Sequence, residues 1–166
     1  MLRGDYVTKK QTVLGDIPVI LGGQEPAYYC DKSNHEGEAI VISRSGAYAG
    51  FVSYWNQPIF VTDGFILEAN ERVTMRFLFY SLKNKQEELH SQKRGGGVPH
   101  VRGKEIMNMF FPIPSLAEQA RIVAILDRFD ALTTDIASGL PAEIAARQRQ
   151  YEYYRDKLLT FEEKAA

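Results

Sequence analysis

Pro114-Ser-Leu-Ala-Glu-Gln-Ala-Arg-Ile-Val-Ala-Ile-Leu-Asp-Arg-Phe-Asp130 begins the longest helical pattern in the chain. Ser115 is a favoured N-cap residue, and Glu118 completes a capping box. Apolar residues then recur every three or four positions, which forms a narrow stripe of period ~3.5 that is typical of paired helices. The stripe comprises Ile122, Ile125, Phe129, Leu132 and Ile136 and, after a break, Ile144, Tyr151, Tyr154 and Leu158.

The stripe is interrupted at Gly139-Leu140-Pro141, where its register slips by one residue. Proline lacks the amide hydrogen that continues a helix, and glycine is favoured at helix ends. We therefore predict two helices, at residues 115–138 and 142–161, joined by a kink or a tight turn. A helical arm this long after a small globular domain favours a partner helix that packs on the stripe. The alternative is that the stripe packs on the chain's own domain.

Residues 1–114 predict a mixed α/β domain built mainly of short strands, so that the fold class is α+β. Apolar and β-branched runs predict strands within 15–23 and at 39–43, 51–55, 59–62, 65–68 and 110–113. We expect 51–55 and 59–62 to pair around the Asn56-Gln57-Pro58 turn, and Tyr28 and Tyr29 to lie in a loop. Helical periodicity spans residues 72–90, and a polar loop follows at 99–104.

Composition limits the functional classes. Cys30 is the only cysteine, and no apolar run approaches the ~18 residues of a membrane span, which indicates a reducing cytoplasm. The net charge is −1, with 13 Lys and Arg against 12 Asp and Glu in residues 1–114 and 7 against 9 in residues 115–166. Binding to DNA would therefore require a local basic patch or a partner that shares the electrostatic work.

Catalytic signatures are missing from the sequence. It contains no phosphate-binding glycine loop and no nucleophile elbow, and His35, His90 and His100 do not have the spacing of a metal site. We therefore expect neither a catalytic residue, nor a metal, nor a cofactor in this chain.

Two basic loops are the candidate binding elements. Arginine and serine at the end of a strand can contact a guanine edge or a phosphate, although a neighbouring carboxylate is an equal partner for the arginine. In the second loop glycines allow backbone amides to approach a phosphate, and a flexible solvated loop is the alternative. The first loop contains Arg44, Ser45 and Tyr48, and the second contains Lys93, Arg94, Gly95, Gly96, His100 and Arg102.

The sequence resembles the specificity subunit of Type I restriction–modification systems over nearly its whole length. The residues that match the family are Ile17–Gln24, Ile42–Gly46, Gly50–Trp55, Gly95–Arg102, Ile113–Gln119, Ile122–Asp127, Gly139–Glu143 and Gln150–Arg155.

The resemblance implies that residues 1–114 are a target recognition domain, which reads half of a split sequence in double-stranded DNA. It implies that residues 115–166 are the helical conserved region, which pairs antiparallel with a second such region and docks methyltransferase subunits. Those subunits and the restriction subunit would supply the catalysis. DNA contacts are expected from the two basic loops, with Lys9, Lys10 and Gln24 as lesser candidates.

The chain departs from the family pattern in two respects. It has one recognition domain and one helical region where a full subunit has two of each, so we expect it to form a homodimer. Family domains usually begin with an opening strand before the Arg3-Gly4 step, which indicates an N-terminally truncated domain or an internal start. The alternative function is an assembly module that binds modification subunits without reading DNA.

Overall fold

The computed structural model describes residues 1–95, 97–135 and 139–159, which contain seven strands, five α-helices and one 3-10 turn. The strands are β1 Leu2–Arg3, β2 Ile17–Ile20, β3 Tyr28–Cys30, β4 Glu38–Ser43, β5 Val52–Asn56, β6 Phe60–Val61 and β7 Gly64–Leu67. The helices are α1 Met75–Asn84, α2 Gln86–Ser91, α3 Gly103–Met107, α4 Leu116–Thr134 and α5 Leu140–Leu159. Two small sheets followed by two long helices confirm the α+β fold class.

The chain divides into two compact units, Met1–Ala120 and Arg121–Ala166. In the first unit, an antiparallel sheet has the strand order β1-β7-β4-β5, and a second sheet has the order β3-β2-β6 with β2 and β6 parallel. The functional division at residue 114 stays a prediction.

Strand β4 is the centre of the first unit. Ala39 and Val41 on one face join a buried cluster with residues of both sheets. Successive side chains in a strand point to opposite faces, and Ile40 and Ile42 on the other face are also fully buried. Helix α1 packs on β4 and β5. The apolar run therefore forms a strand covered on both faces.

The predicted pairing of residues 51–55 with 59–62 is wrong. Strand β5 pairs with β4 and β6 pairs with β2, so the Asn56–Pro58 turn carries the chain from one sheet to the other. Ile59, which would begin a hairpin, instead exchanges backbone hydrogen bonds of 3.0 and 3.2 Å with His35. Backbone groups already paired elsewhere cannot form the hairpin ladder.

Four other local predictions are wrong in whole or in part. Tyr28 and Tyr29 lie in strand β3, antiparallel to β2, and not in a loop. Residues 110–113 form no strand although the structure describes them, and Phe110 is 85% exposed there. The helix expected at 72–90 breaks at Lys85, whose ψ of 13° ends α1 before α2 begins, and the loop expected at 99–104 runs into helix α3.

The two-helix arm is confirmed with shifted starts, and the predicted ends at residues 138 and 161 lie outside the described residues. Helix α4 begins after Ser115, whose hydroxyl oxygen accepts a hydrogen bond from the Glu118 backbone amide at 3.3 Å. Helix α5 begins at Leu140 because Pro141 falls in its first turn, where a missing amide hydrogen has no cost. A Cβ on Gly139 would lie 2.6 Å from the Leu132 carbonyl oxygen, so the turn requires glycine. Among the described helices, none is long and apolar enough to cross a membrane.

Gln119 in the first turn of α4 is completely buried. Its side-chain amide donates to the carbonyl oxygens of Arg72 and Pro114, at 2.8 and 2.9 Å, and its carbonyl oxygen accepts from the Thr74 backbone amide at 2.9 Å. Thr74 is the N-cap of α1. Gln119 therefore joins the start of α4 to the start of α1, and the first turn of α4 belongs to the first unit.

We expect Gln119→Ala to lower the free energy of unfolding of the first unit by about 3 kcal/mol, because three backbone groups would lose their partner inside the protein. Urea unfolding followed by the fluorescence of Trp55, the only tryptophan, measures this unit. The exposed Gln57 offers a matched control, and Gln57→Ala should change the stability by less than about 0.5 kcal/mol. Equal effects of the two substitutions would contradict the structural role of Gln119.

Candidate nucleic-acid interface

The two predicted basic loops lie side by side and are joined by backbone hydrogen bonds. The amide of Val101 donates to the Arg44 carbonyl at 2.8 Å, and the amide of Gly46 donates to the Pro99 carbonyl at 2.9 Å. Arg94 and His100 exchange two further bonds of 2.9 and 3.0 Å. We call this surface the basic platform, and it comprises Arg44, Ser45, Lys93, Arg94 and His100.

Glycines allow the tight turns that bring the two loops together. Gly46 has a φ of 87° and Gly95 a φ of 108°, a backbone conformation that side-chain-bearing residues rarely adopt. After Gly46 the chain returns at once to strand β5, since the Gly50 amide donates to the Ser43 carbonyl at 2.7 Å. Arg44 and Ser45 are thereby held at the end of the buried strand β4.

The two cations of the second loop are held differently. The Lys93 ammonium donates to the Ala47 carbonyl at 2.7 Å and so ties the second loop to the first. The Arg94 side chain is 67% exposed, and its Nε lies 3.8 Å from a carboxylate oxygen of Glu105. Long ion pairs at the surface contribute little. Arg94 is therefore a cation that can turn to an external anion.

Arg44 does pair with a neighbouring carboxylate, as the alternative interpretation held. Its Nη1 donates to Asp63 Oδ1 at 3.1 Å, and the Ser45 hydroxyl donates to Asp63 Oδ2. Asp63 was not among the predicted site residues. Its position directly before β7 could have identified it. Ser43 and Gly64 lie opposite each other in the β4–β7 ladder, so Asp63 lies beside the end of β4.

A polar cleft of about 650 Å³ opens beside this ion pair. The N-terminal segment forms one wall, where the amides of Gly4 and Asp5 donate to the carbonyls of Gly64 and Val61 at 3.0 and 2.9 Å. The residues that line the cleft are Arg3, Gly4, Asp5, Tyr6, Leu21, Arg44, Thr62 and Asp63. Cations, carboxylates and an exposed tyrosine ring therefore face one open volume. Arg3 and Tyr6 were not among the predicted DNA contacts.

The other predicted DNA contacts lie on separate elements. Lys9 and Lys10 form an exposed 3-10 turn, and Gln24 is exposed in the loop after β2. Arg102 is the N-cap residue of α3, and Tyr48 is partly exposed in the turn after β4. Gly96 lies outside the described residues. The described part of the chain has no group of three or more His, Cys, Asp or Glu residues that could hold a metal ion.

The apolar stripe of the arm is exposed to solvent. Ile136 lies outside the described residues, and Ile122 is half-buried. The exposed fractions of the other members lie between 41% and 71%, and these members are Ile125, Phe129, Leu132, Ile144, Tyr151, Tyr154 and Leu158. Helix α5 contains no buried residue. The stripe is an apolar surface that the isolated chain leaves uncovered.

Known proteins resemble this chain in sequence and in fold. The sequence profile of the Type I restriction modification DNA specificity domain matches residues 4–146. A Type I restriction enzyme specificity subunit of Escherichia coli is 39% identical over 94 residues, which are 55% of this chain and 23% of that subunit. A putative specificity subunit of Haemophilus influenzae is 33% identical over 125 residues, which are 74% of this chain and 32% of that protein.

Among solved structures, the S subunit of a Type I restriction–modification system from M. genitalium superposes with a TM-score of 0.70 at 22% identity. The superposition covers 93% of this chain and 42% of that one. At this identity the likeness concerns the fold. This chain therefore spans less than half of that subunit and a third or less of the two curated relatives.

We expect Gly22→Ala to destabilise the first unit by about 2 kcal/mol, because its Cβ would lie 2.5 Å from the Ser45 carbonyl oxygen and the platform would have to shift. Gly97→Ala in the second loop is the control, since a Cβ there meets nothing within 4 Å. Thermal unfolding followed by Trp55 fluorescence compares the two variants. Equal melting temperatures would show that the approach of Gly22 to Ser45 does not constrain the platform.

Proposed function

Because the chain belongs to the Type I restriction modification DNA specificity domain family, we propose that it reads one half of a split DNA sequence and directs modification and restriction subunits to that site. The family is defined by DNA specificity, which agrees with the prediction that this chain is not an enzyme. Specificity subunits assemble with modification and restriction subunits in Type I complexes. Methyl transfer and cleavage are then the work of those partners.

The basic platform is the observation that carries the DNA-binding part of the proposal. The net charge of the chain is −1, so long-range attraction to DNA cannot come from the chain as a whole. The backbone bonds between the two loops concentrate Arg44, Lys93 and Arg94 on one surface. Lys93 and Arg94 on such a surface neutralise phosphates and release counterions, which gives salt-dependent binding.

The division of labour follows the two parts of the chain. Residues 1–114 form the target recognition domain in this proposal, and residues 115–166 form the helical conserved region. The compact units Met1–Ala120 and Arg121–Ala166 support a division close to that point. The helical region contains the exposed stripe and serves for pairing and for docking modification subunits.

The occupant of the stripe, in this proposal, is the stripe of a second copy that runs antiparallel to it. Large exposed apolar surfaces on soluble proteins mark interaction sites. The stripe has the ~3.5-residue period of helices that pack on other helices. Two copies would supply two recognition domains, and the length of the arm would set the spacing between two identical half-sites.

The second candidate function is an assembly module that binds modification subunits without reading DNA. The pairing of Arg44 with Asp63 favours it, because this arginine already has an anionic partner within the chain. The two functions differ in one measurable property, the sequence preference of DNA binding.

Arg94→Ala in the complex with modification subunits should weaken binding to all sequences in a randomised duplex pool by a similar factor. The exposed Arg94 guanidinium is expected to contact a phosphate, so the slope of log K against log salt should fall by about 1. Arg149→Ala, which removes the same charge from an exposed position on α5, is the control. A wild-type complex without any sequence preference would contradict the recognition function and leave the assembly module.

Phe129→Asp should convert the free chain from a dimer to a monomer, because it places a charge within the apolar stripe. Sedimentation equilibrium at micromolar concentration measures the change. Ala124→Asp introduces the same charge at an exposed α4 position outside the stripe and should leave the dimer intact. A monomeric wild-type chain would refute pairing between copies.

A further inference from the structure

The Arg44–Asp63 ion pair has a more ordered geometry than a surface contact between two long side chains. Besides the side-chain bond of 3.1 Å, the Arg44 backbone amide donates to the Asp63 carbonyl at 3.0 Å. The second carboxylate oxygen of Asp63 accepts from the Ser45 hydroxyl. Three hydrogen bonds thus hold Asp63 against the end of strand β4.

Asp63 itself is held on a constrained segment. It lies between β6 and β7, where the chain passes from one sheet to the other. The neighbouring Thr62 donates from its backbone amide to the Ile20 carbonyl at 2.9 Å, and Gly64 is paired with Ser43 in the ladder. The carboxylate is therefore fixed by the fold and can fix the arginine in turn.

The pair remains accessible from outside. The side chains of Arg44 and Asp63 are 34% and 30% exposed, and both line the polar cleft. The bond to Asp63 uses one of the five N–H donors of a guanidinium, and a carboxylate has about four acceptor sites. Both members of the pair can therefore bind a further group.

The composition of the cleft selects a base edge over a phosphate. Arg3 and Arg44 face two carboxylates, Asp5 and Asp63, in the same open volume. Carboxylates repel a phosphate, whereas a base pair in the major groove presents donors and acceptors together. A G·C pair offers guanine O6 and N7 to an arginine and the cytosine amino group to an aspartate.

We propose that Asp63 is a specificity-determining residue which orients Arg44, so that the pair reads one G·C base pair in the major groove. A bidentate contact requires the guanidinium to lie in one plane and direction. Asp63 supplies that orientation before DNA arrives, so less side-chain freedom is lost on binding. This inference rests on the proposed function, because it concerns the same recognition surface.

The test compares base preference at each position with affinity for random-sequence DNA, using the full chain in complex with modification subunits and a randomised duplex pool. Asp63→Ala should reduce discrimination at one G·C position by about tenfold. The same variant should bind random-sequence DNA more tightly, since a negative charge is lost. Arg44→Lys keeps the charge without the planar fork and should relax the same position.

Asp31→Ala is the charge-matched control, because it removes an exposed carboxylate from the turn after β3. It should raise the affinity for random-sequence DNA and leave every base preference unchanged. Asp63→Asn keeps an oxygen that can accept from Arg44 and guards against misfolding of the alanine variant. Its loss of discrimination should be smaller than that of Asp63→Ala.

Two results would overturn the inference while leaving the proposed function intact. In one, the wild-type complex prefers a sequence and Asp63→Ala retains every preference. In the other, Asp63→Ala and Arg44→Lys relax different positions. A wild-type complex that prefers no sequence would instead remove the proposed function and this inference with it.

Discussion

The burial of strand β4 on both faces is the constraint on which the first unit depends. Val41 packs into the cluster shared by the two sheets, and Ile40 and Ile42 are buried on the opposite face. A strand covered on both faces cannot shift its register without exposing apolar side chains. The end of β4 is therefore a fixed point, and the residues that follow it, Arg44 and Ser45, have fixed positions as well.

The distribution of charged side chains links this scaffold to the proposed DNA-binding function. Because the net charge of the chain is −1, DNA binding requires cations that the fold holds together on one surface. The backbone bonds of Val101 with Arg44 and of Gly46 with Pro99 do so by joining two loops that are distant in sequence. Asp63 lowers the net positive charge of that surface and places hydrogen-bond acceptors at a fixed position on it. Such a mixed surface favours recognition of particular partners over general attraction to polyanions.

Local patterns predicted the two long helices and most strands well, because periodicity and capping act within a few residues. Ser115 and Pro141 marked helix starts that the structure confirms to within two residues. The partners of strands were less predictable. The chain passes from one sheet to the other at Asn56–Pro58, and this depends on the backbone hydrogen bonds of Ile59 with His35. No local sequence pattern predicts that contact. Asp63 was not predicted as a site residue for the same reason, because its contacts are with the end of β4, which is distant in sequence.

The buried side chain of Gln119 has a consequence for exchange of recognition domains between related proteins. In a chimaera joined at Pro114, Gln119 would come from one protein and Arg72 and Thr74 from the other. The hydrogen bonds of Gln119 would then depend on backbone groups of a different protein. A junction placed after Ala120 would carry the complete set of bonds with the first unit. A junction that keeps the first unit intact therefore lies one turn inside helix α4.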